Sequence, residues 1–192
     1  PEDAAHLPGS EELLQSVDGF PALVSDPWLN GRLTALHACS DLWACGARVS
    51  SAMATITLPM LPANEQKELL VQTLAGIRSV LDEQGAELIG GHTMESRSAS
   101  PLPASLGVQI SLSVNGRISQ SLWLKSGLQP GDALLISRPL GTGVLFAGAM
   151  TGATKAADLD AALKGMAYSQ HKLLEELELV QGEIHACTDI TG

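Results

Sequence analysis

No run in the 192-residue chain approaches the ~20 consecutive apolar residues that a helix needs to span a bilayer. The first residues also lack the basic stretch and apolar core of a secretory leader. Basic residues are scarce: 11 Lys and Arg stand against 21 Asp and Glu, a formal charge of −10. Nucleic-acid partners require a basic stripe to displace counterions, so none is expected. Three cysteines, Cys39, Cys45 and Cys187, form neither a CxxC pair nor a zinc-ligand spacing. Cys39 and Cys45 are six residues apart, about 240° around a helix axis, and should face different ways. Buried reduced thiols in a cytoplasmic protein are the expectation. The chain opens at Pro1 without Met and closes at Thr191-Gly192 inside what reads as a motif. It is therefore expected to be part of a longer protein.

What the chain does have is a set of aspartates among small or turn-forming residues: Asp3, Asp18, Asp41 and Asp189. Singly, such an Asp is most simply a helix cap or turn residue, bonding nearby backbone N–H groups. Together, carboxylates of this kind suit a hard cation such as Mg²⁺, whose remaining ligands are commonly phosphate oxygens. Gly90-Gly91-His92-Thr93 reads as a turn whose backbone could approach an anion closely. The combination points to a nucleotide-phosphate site with metal. By contrast, the glycines of Pro139-Leu140-Gly141-Thr142-Gly143 lack a Gly-Lys-Ser/Thr ending and a GxGxxG pattern. A strand-to-helix turn packed through glycine is the better reading there.

Periodicity predicts alternating elements. Residues 13–17 read as a short strand delivering Asp18 at its end. Residues 27–45 read as a helix, with Asp26 as cap, Pro27 in its first turn and Gly46 at its exit. On that helix His37 and Asp41 share one face, either as a simple contact or as the polar lining of a site. Residues 51–58 form a strand ended by Pro59, and residues 64–84 a long helix left at Gly85. Residues 86–89 form a short strand running into the Gly-Gly-His-Thr turn. Residues 106–114 alternate like a half-buried strand, followed by an Asn115-Gly116 hairpin turn. After the Pro130-Gly131-Asp132 turn, residues 133–137 read as a strand, and residues 158–180 as a last helix. Interleaved helices and strands with a hairpin favour α+β, a mixed sheet flanked by helices.

The order of motifs resembles one family. Glu2-Asp3-Ala4-Ala5, Ser16-Val17-Asp18-Gly19-Phe20, Asp26-Pro27-Trp28-Leu29-Asn30-Gly31-Arg32, His37-Ala38-Cys39-Ser40-Asp41-Leu42-Trp43-Ala44-Cys45-Gly46-Ala47, Gly90-Gly91-His92-Thr93, Pro130-Gly131-Asp132, Arg138-Pro139-Leu140-Gly141-Thr142-Gly143-Val144-Leu145 and Cys187-Thr188-Asp189-Ile190-Thr191-Gly192 are similar to those of selenophosphate synthetase (selenide, water dikinase). That family sits in the superfamily of aminoimidazole ribonucleotide synthetase and thiamine-monophosphate kinase. The kinases of that superfamily typically carry Asp where this chain has His92.

The resemblance implies conversion of ATP, selenide and water to selenophosphate, AMP and phosphate, with Mg²⁺. It implies Asp3, Asp41 and Asp189 as metal ligands, and Glu2, Asp18 and Asp41 beside the nucleotide. Gly91, His92 and Thr93 match a segment expected to reach the nucleotide of a neighbouring subunit. It implies a homodimer whose N-terminal sheets pair into a barrel, removing exposed edges. Residues 1–138 would be the ATP-binding, dimer-forming N-terminal domain, and residues 139–192 the start of a C-terminal one. The family's Cys or selenocysteine nucleophile and its Lys precede Asp3, so no residue of this chain is nominated as catalytic. Two departures stand out: His37 replaces a common Asn, and Glu2 a common Asp. Two other readings stay open, a small-metabolite kinase or ligase of the same superfamily and a non-catalytic dimerisation module.

Overall fold

The computed structural model describes residues 2–96 and 107–190. Pro1, Leu106 (the first residue of the predicted 106–114 strand), Thr191 and Gly192 lie outside the described residues. Among the described residues five strands form one sheet: β1 (Ala5–His6), β2 (Leu13–Phe20), β3 (Ala47–Leu58), β4 (Glu87–Glu95) and β5 (Gln109–Ile118). Their order is β1-β2-β5-β3-β4, antiparallel throughout except for the parallel β3–β4 pair. The sheet is therefore mixed, and helices pack on it, as the α+β expectation required. One of these helices, α1 (Pro27–Ala44), crosses the sheet's inner face, and α2 (Ala63–Leu81) packs on α1.

Helix α1 begins where the sequence says it should. The Asp26 side chain accepts from the Leu29 N–H at 2.8 Å, and Pro27 occupies the first turn, where no N–H is needed. Gly46 and Gly85 take φ of 72° and 70° at the exits of α1 and of the α2 region, a left-handed backbone that glycine adopts freely. Because the sheet and α2 both cover α1, even polar residues on it are buried. Asn30, 1% exposed, donates from Nδ2 to the Val108 carbonyl at 2.8 Å and accepts from the Leu23 N–H at 3.2 Å. It thereby ties the loop before α1 to the segment entering β5. The core beneath is aliphatic: Leu14, Leu36, Leu42, Val49, Ile56, Ile77, Leu81, Leu112 and Val114, closed at one end by Trp123.

Several expected boundaries move. The 13–17 strand continues to Phe20, so Asp18 lies within β2 opposite Leu112 rather than beyond its end. The 51–58 strand starts at Ala47. Gly90-Gly91-His92-Thr93 is not a turn: it lies inside β4, which runs parallel to β3. Asn115-Gly116 is not a hairpin turn either. Both residues sit inside β5, where the Asn115 side chain bonds Gln15 on one side and Ser51 on the other. Residues 133–137 form no strand, and Leu134 and Leu135 are exposed. Pro130-Gly131-Asp132 does turn, with the Gln129 N–H bonded to the Asp132 carboxylate at 2.8 Å.

The predicted 158–180 helix is two helices, α4 (Ala156–Met166) and α5 (His171–Glu178), preceded by α3 (Thr142–Met150). Between α4 and α5, tertiary bonds claim the backbone. The Ala167 carbonyl accepts from Arg32 Nε at 2.8 Å, and the Tyr168 carbonyl from Arg138. Ser169 is buried against His171. Arg32 also meets Glu83 at 2.9 Å, while Arg48 pairs with Glu178, and Leu174 of α5 joins the main core. These contacts bring the end of the chain back beside α1.

Candidate functional site

Alternation along β2 turns Leu14, Ser16, Asp18 and Phe20 toward α1 and leaves Gln15 and Val17 on the opposite face. Ser16 and Asp18 therefore meet the polar stripe of α1. The His37 Nε2 lies 3.0 Å from Asp18 Oδ2, and the Phe20 ring meets His37 edge-on at 5.0 Å. His37 thus pairs with Asp18 and not with Asp41, one helical turn further on. Asp41 instead accepts a hydrogen bond from the Ser16 hydroxyl. Burial pushes the Asp41 carboxyl up to about 6, and the charges of Asp189 and Asp18 push the same way, against the Ser16 bond. Carboxylates gathered without a cation between them oppose one another's ionisation.

The remaining carboxylates arrive from the two ends of the chain. The Trp123 N–H donates to the Cys45 carbonyl at 3.1 Å, and the Cys187 N–H to the Leu124 carbonyl at 2.9 Å. The 123–125 and 187–189 segments are therefore pinned beside the C-terminal end of α1. From there Ser40 Oγ, which donates to the His37 carbonyl, lies 3.1 Å from Asp189 Oδ2. Thr188 donates to Asp3 at 3.2 Å, and Lys125 Nζ sits 2.5 Å from Asp3 Oδ1. The Lys125 backbone N–H donates to Glu2 Oε2 at 2.7 Å. Ser16, Ser40, Lys125 and Thr188 were not singled out in the sequence. Ser16 could have been, lying two residues before Asp18 on the same strand face; Lys125 offers no such signal.

Among the described residues no three His, Cys, Asp or Glu side chains already converge as a metal cage. Asp3, Asp41 and Asp189 rest instead on Lys125, Ser16 and Ser40. The donor set nevertheless fits Mg²⁺: it consists of carboxylate oxygens, and Asp18 and Asp189 stand close enough to Asp41 to oppose its ionisation, a repulsion that a cation would relieve. The thiols do not compete for that role. Burial pushes Cys39 up to about 12 and raises Cys45 and Cys187 as well, so none is an activated nucleophile.

Gly91, His92 and Thr93 lie elsewhere. Asp18 pairs with Leu112, Leu112 with Ala54, and Ala54 with Gly91. Gly91 is thus level with Asp18 but three strands away, about 14 Å at the usual strand spacing. The structure brings Asp18, Asp41 and Asp189 together, joins Glu2 and Asp3 to that group through the 123–125 and 187–189 segments, and keeps the β4 motif apart from both. No described helix is long and apolar enough to cross a membrane.

The chain matches known proteins along its length. It is 32% identical over 194 aligned residues to a protein of Bdellovibrio bacteriovorus named selenide, water dikinase, covering 100% of this chain and 52% of the relative. A selenide, water dikinase of Desulfitobacterium hafniense (strain Y51) is 34% identical, with coverage of 100% and 53%. The chain spans about half the length of these curated relatives. Among solved structures, thiamine monophosphate kinase from Aquifex aeolicus superposes with a TM-score of 0.66 at 18% identity, over 86% of this chain and 56% of that one. Hydrogenase maturation protein HypE in complex with ATP gives a TM-score of 0.67 at 24% identity, over 93% and 51%. The family model for AIR synthase related protein, N-terminal domain, matches residues 1–117. The mixed sheet, the helices laid on it and that match agree: the chain belongs to the family of AIR synthase related proteins through their N-terminal domain.

Proposed function

We propose that this chain is the ATP-binding part of a selenide, water dikinase, a cytoplasmic enzyme that makes selenophosphate from ATP, selenide and water and releases AMP and phosphate. The observation that carries this reading is the half-buried Asp41, its carboxyl raised by burial and then by Asp189 and Asp18, at the meeting point of α1, β2 and the 187–189 segment. The relatives named selenide, water dikinase, aligned with the whole chain, supply the reaction. The HypE structure holding ATP adds the nucleotide. Residues 1–138 would form the ATP-binding domain and residues 139–192 the start of the next.

Asp3, Asp41 and Asp189 would hold Mg²⁺, which supplies neutralisation of the phosphate oxygens. Phosphoryl transfer asks the protein mainly for positioning and charge stabilisation. Glu2 and Asp18 would orient the nucleotide, with His37 fixing the Asp18 carboxylate. Releasing AMP requires two phosphoanhydride bonds to be cleaved, one yielding selenophosphate and one orthophosphate.

Gly91, His92 and Thr93 would serve the nucleotide of a partner subunit. Their distance from Asp18 within one chain supports that assignment. So does the sheet face away from α1, where Val17 and Ile89 are 68% and 57% exposed and His92 lies opposite Thr55. Pairing that face and the β4 edge with a second copy would bury both in a barrel.

The reaction is tested by following ATP with phosphorus NMR in anaerobic selenide and Mg²⁺, using the protein extended to the length of its relatives. AMP, phosphate and a selenophosphate signal, all dependent on selenide, are expected. ADP as sole product would assign the site to a superfamily kinase. ATP binding without turnover of any acceptor would favour the non-catalytic dimerisation module.

A further inference from the structure

Asp3 is almost completely enclosed, its side chain 6% exposed, and a lysine stands on it. Lys125 Nζ is 2.5 Å from Asp3 Oδ1, and the same residue's backbone N–H holds Glu2 at 2.7 Å. The ammonium is the cation side of this contact; among the described residues the neutral Thr188 hydroxyl also donates to Asp3. The Lys125 side chain itself is 42% exposed, so its head can leave the carboxylate for water without unfolding anything. Trp123, 4% exposed, anchors the segment two residues earlier, and the Cys187 N–H bonds the Leu124 carbonyl. The backbone at Lys125 is therefore fixed while its ammonium is free to swing.

We propose that Lys125 is a positioning residue whose ammonium stands in for the metal ion at Asp3 and must be displaced when Mg²⁺ arrives with nucleotide. The inference rests on the assignment of Asp3 as a metal ligand. Its physical basis is competition: two cations cannot share the Asp3 Oδ1 lone pairs at 2.5 Å without strong repulsion. The contact has two consequences. It holds the enclosed Asp3 carboxylate aimed in the nucleotide-free protein, and it lowers affinity for free metal. Mg²⁺ arriving with ATP would have further ligands in the phosphate oxygens, and the half-exposed Lys125 side chain would yield Asp3 to it.

The test uses Mn²⁺ as the probe, with free ion counted by electron paramagnetic resonance in the absence of nucleotide. Lys125→Met should bind Mn²⁺ roughly tenfold more tightly than the unmodified protein. Lys125→Arg, which keeps the charge, should stay close to it. Lys164→Met, on the exposed face of α4, removes the same charge at a distance and should change little. In thermal melts without metal Lys125→Met should fall below the unmodified protein, and Mg²⁺ should raise it by more. Equal Mn²⁺ affinity for Lys125→Met and the unmodified protein, with binding lost in Asp3→Asn, would overturn the competition while leaving Asp3 as a ligand. Mn²⁺ binding untouched by Asp3→Asn would overturn the ligand assignment and the inference with it. Equal gains in Lys125→Met and Lys164→Met would reduce the effect to net charge and overturn it too.

Discussion

Asp41→Asn is expected to weaken Mg²⁺-ATP binding by about 100-fold or more, close to 3 kcal/mol, while leaving the thermal midpoint unchanged or slightly higher. The two halves of that prediction share one cause. In the metal-free protein Asp41 opposes Asp189 and Asp18, and its carboxyl is raised by burial and by them; removing its charge relieves repulsion. The Asn side chain still offers an oxygen to the Ser16 hydroxyl, so the β2–α1 contact survives. With Mg²⁺ present the sign reverses, because an amide oxygen is a far poorer ligand for a hard cation than a carboxylate. Titration calorimetry and a melting curve on one sample read both effects. Weakened binding together with a large loss of stability would mean that Asp41 holds the fold rather than the metal.

Gly76→Ala is expected to cost more than about 3 kcal/mol and to leave little folded protein at 37 °C. Gly76 lies in α2 where it crosses α1. A Cβ there would lie 2.0 Å from the Trp28 carbonyl oxygen, and one on Gly31 of α1 would lie 2.4 Å from that of Thr73. The two helices thus touch backbone to backbone at reciprocal glycines, and neither obstacle is a side chain that could turn aside. The helices must separate to admit one methyl. Separation would in turn expose Ile77 and Val80 and shift α1, which carries His37 and Asp41. A chemical denaturation midpoint checks the prediction. Gly165→Ala, in α4 with open space around it, is the control and should be neutral or slightly stabilising.

These residues also show where the sequence was readable. Asp26, Pro27 and Gly46 carry the limits of α1 in their own chemistry, so that helix could be placed to within a residue. The alternation along residues 106–114 likewise announced the strand that is β5. What failed was every inference that needed knowledge of a neighbour. Asn115-Gly116 has the composition of a turn, but Gln15 and Ser51 on the flanking strands give Asn115 partners and hold it extended. Gly90-Gly91 reads as a bend, yet a Cβ on Gly91 would lie 2.0 Å from the Ala54 carbonyl; there glycine answers to the close approach of β3. Residues 158–180 read as one helix, yet Arg32 and Arg138, distant in sequence, take the Ala167 and Tyr168 carbonyls between α4 and α5.

The candidate site divides the same way. The aspartates were visible because carboxylates among small residues are uncommon outside caps and turns, and their order matched a family. Most of the residues that hold them were invisible: Ser40 and Thr188 are ordinary hydroxyls until the fold sets them beside Asp189 and Asp3, and only strand alternation could have put Ser16 beside Asp18. His37 and Asp41 share a helix face, as periodicity required. Which carboxylate His37 would take depended on where β2 lay across that face, and it took Asp18.

On the proposed reading, these carboxylates form a site for ATP only in partnership with Mg²⁺. The most direct test is titration calorimetry of ATP into the unmodified protein, once with Mg²⁺ and once with the metal chelated. Saturable binding with Mg²⁺ and at least a tenfold loss without it are expected, because uncompensated phosphate would then face Asp18, Asp41 and Asp189. Equal binding in both conditions, or none with Mg²⁺ present, would contradict it.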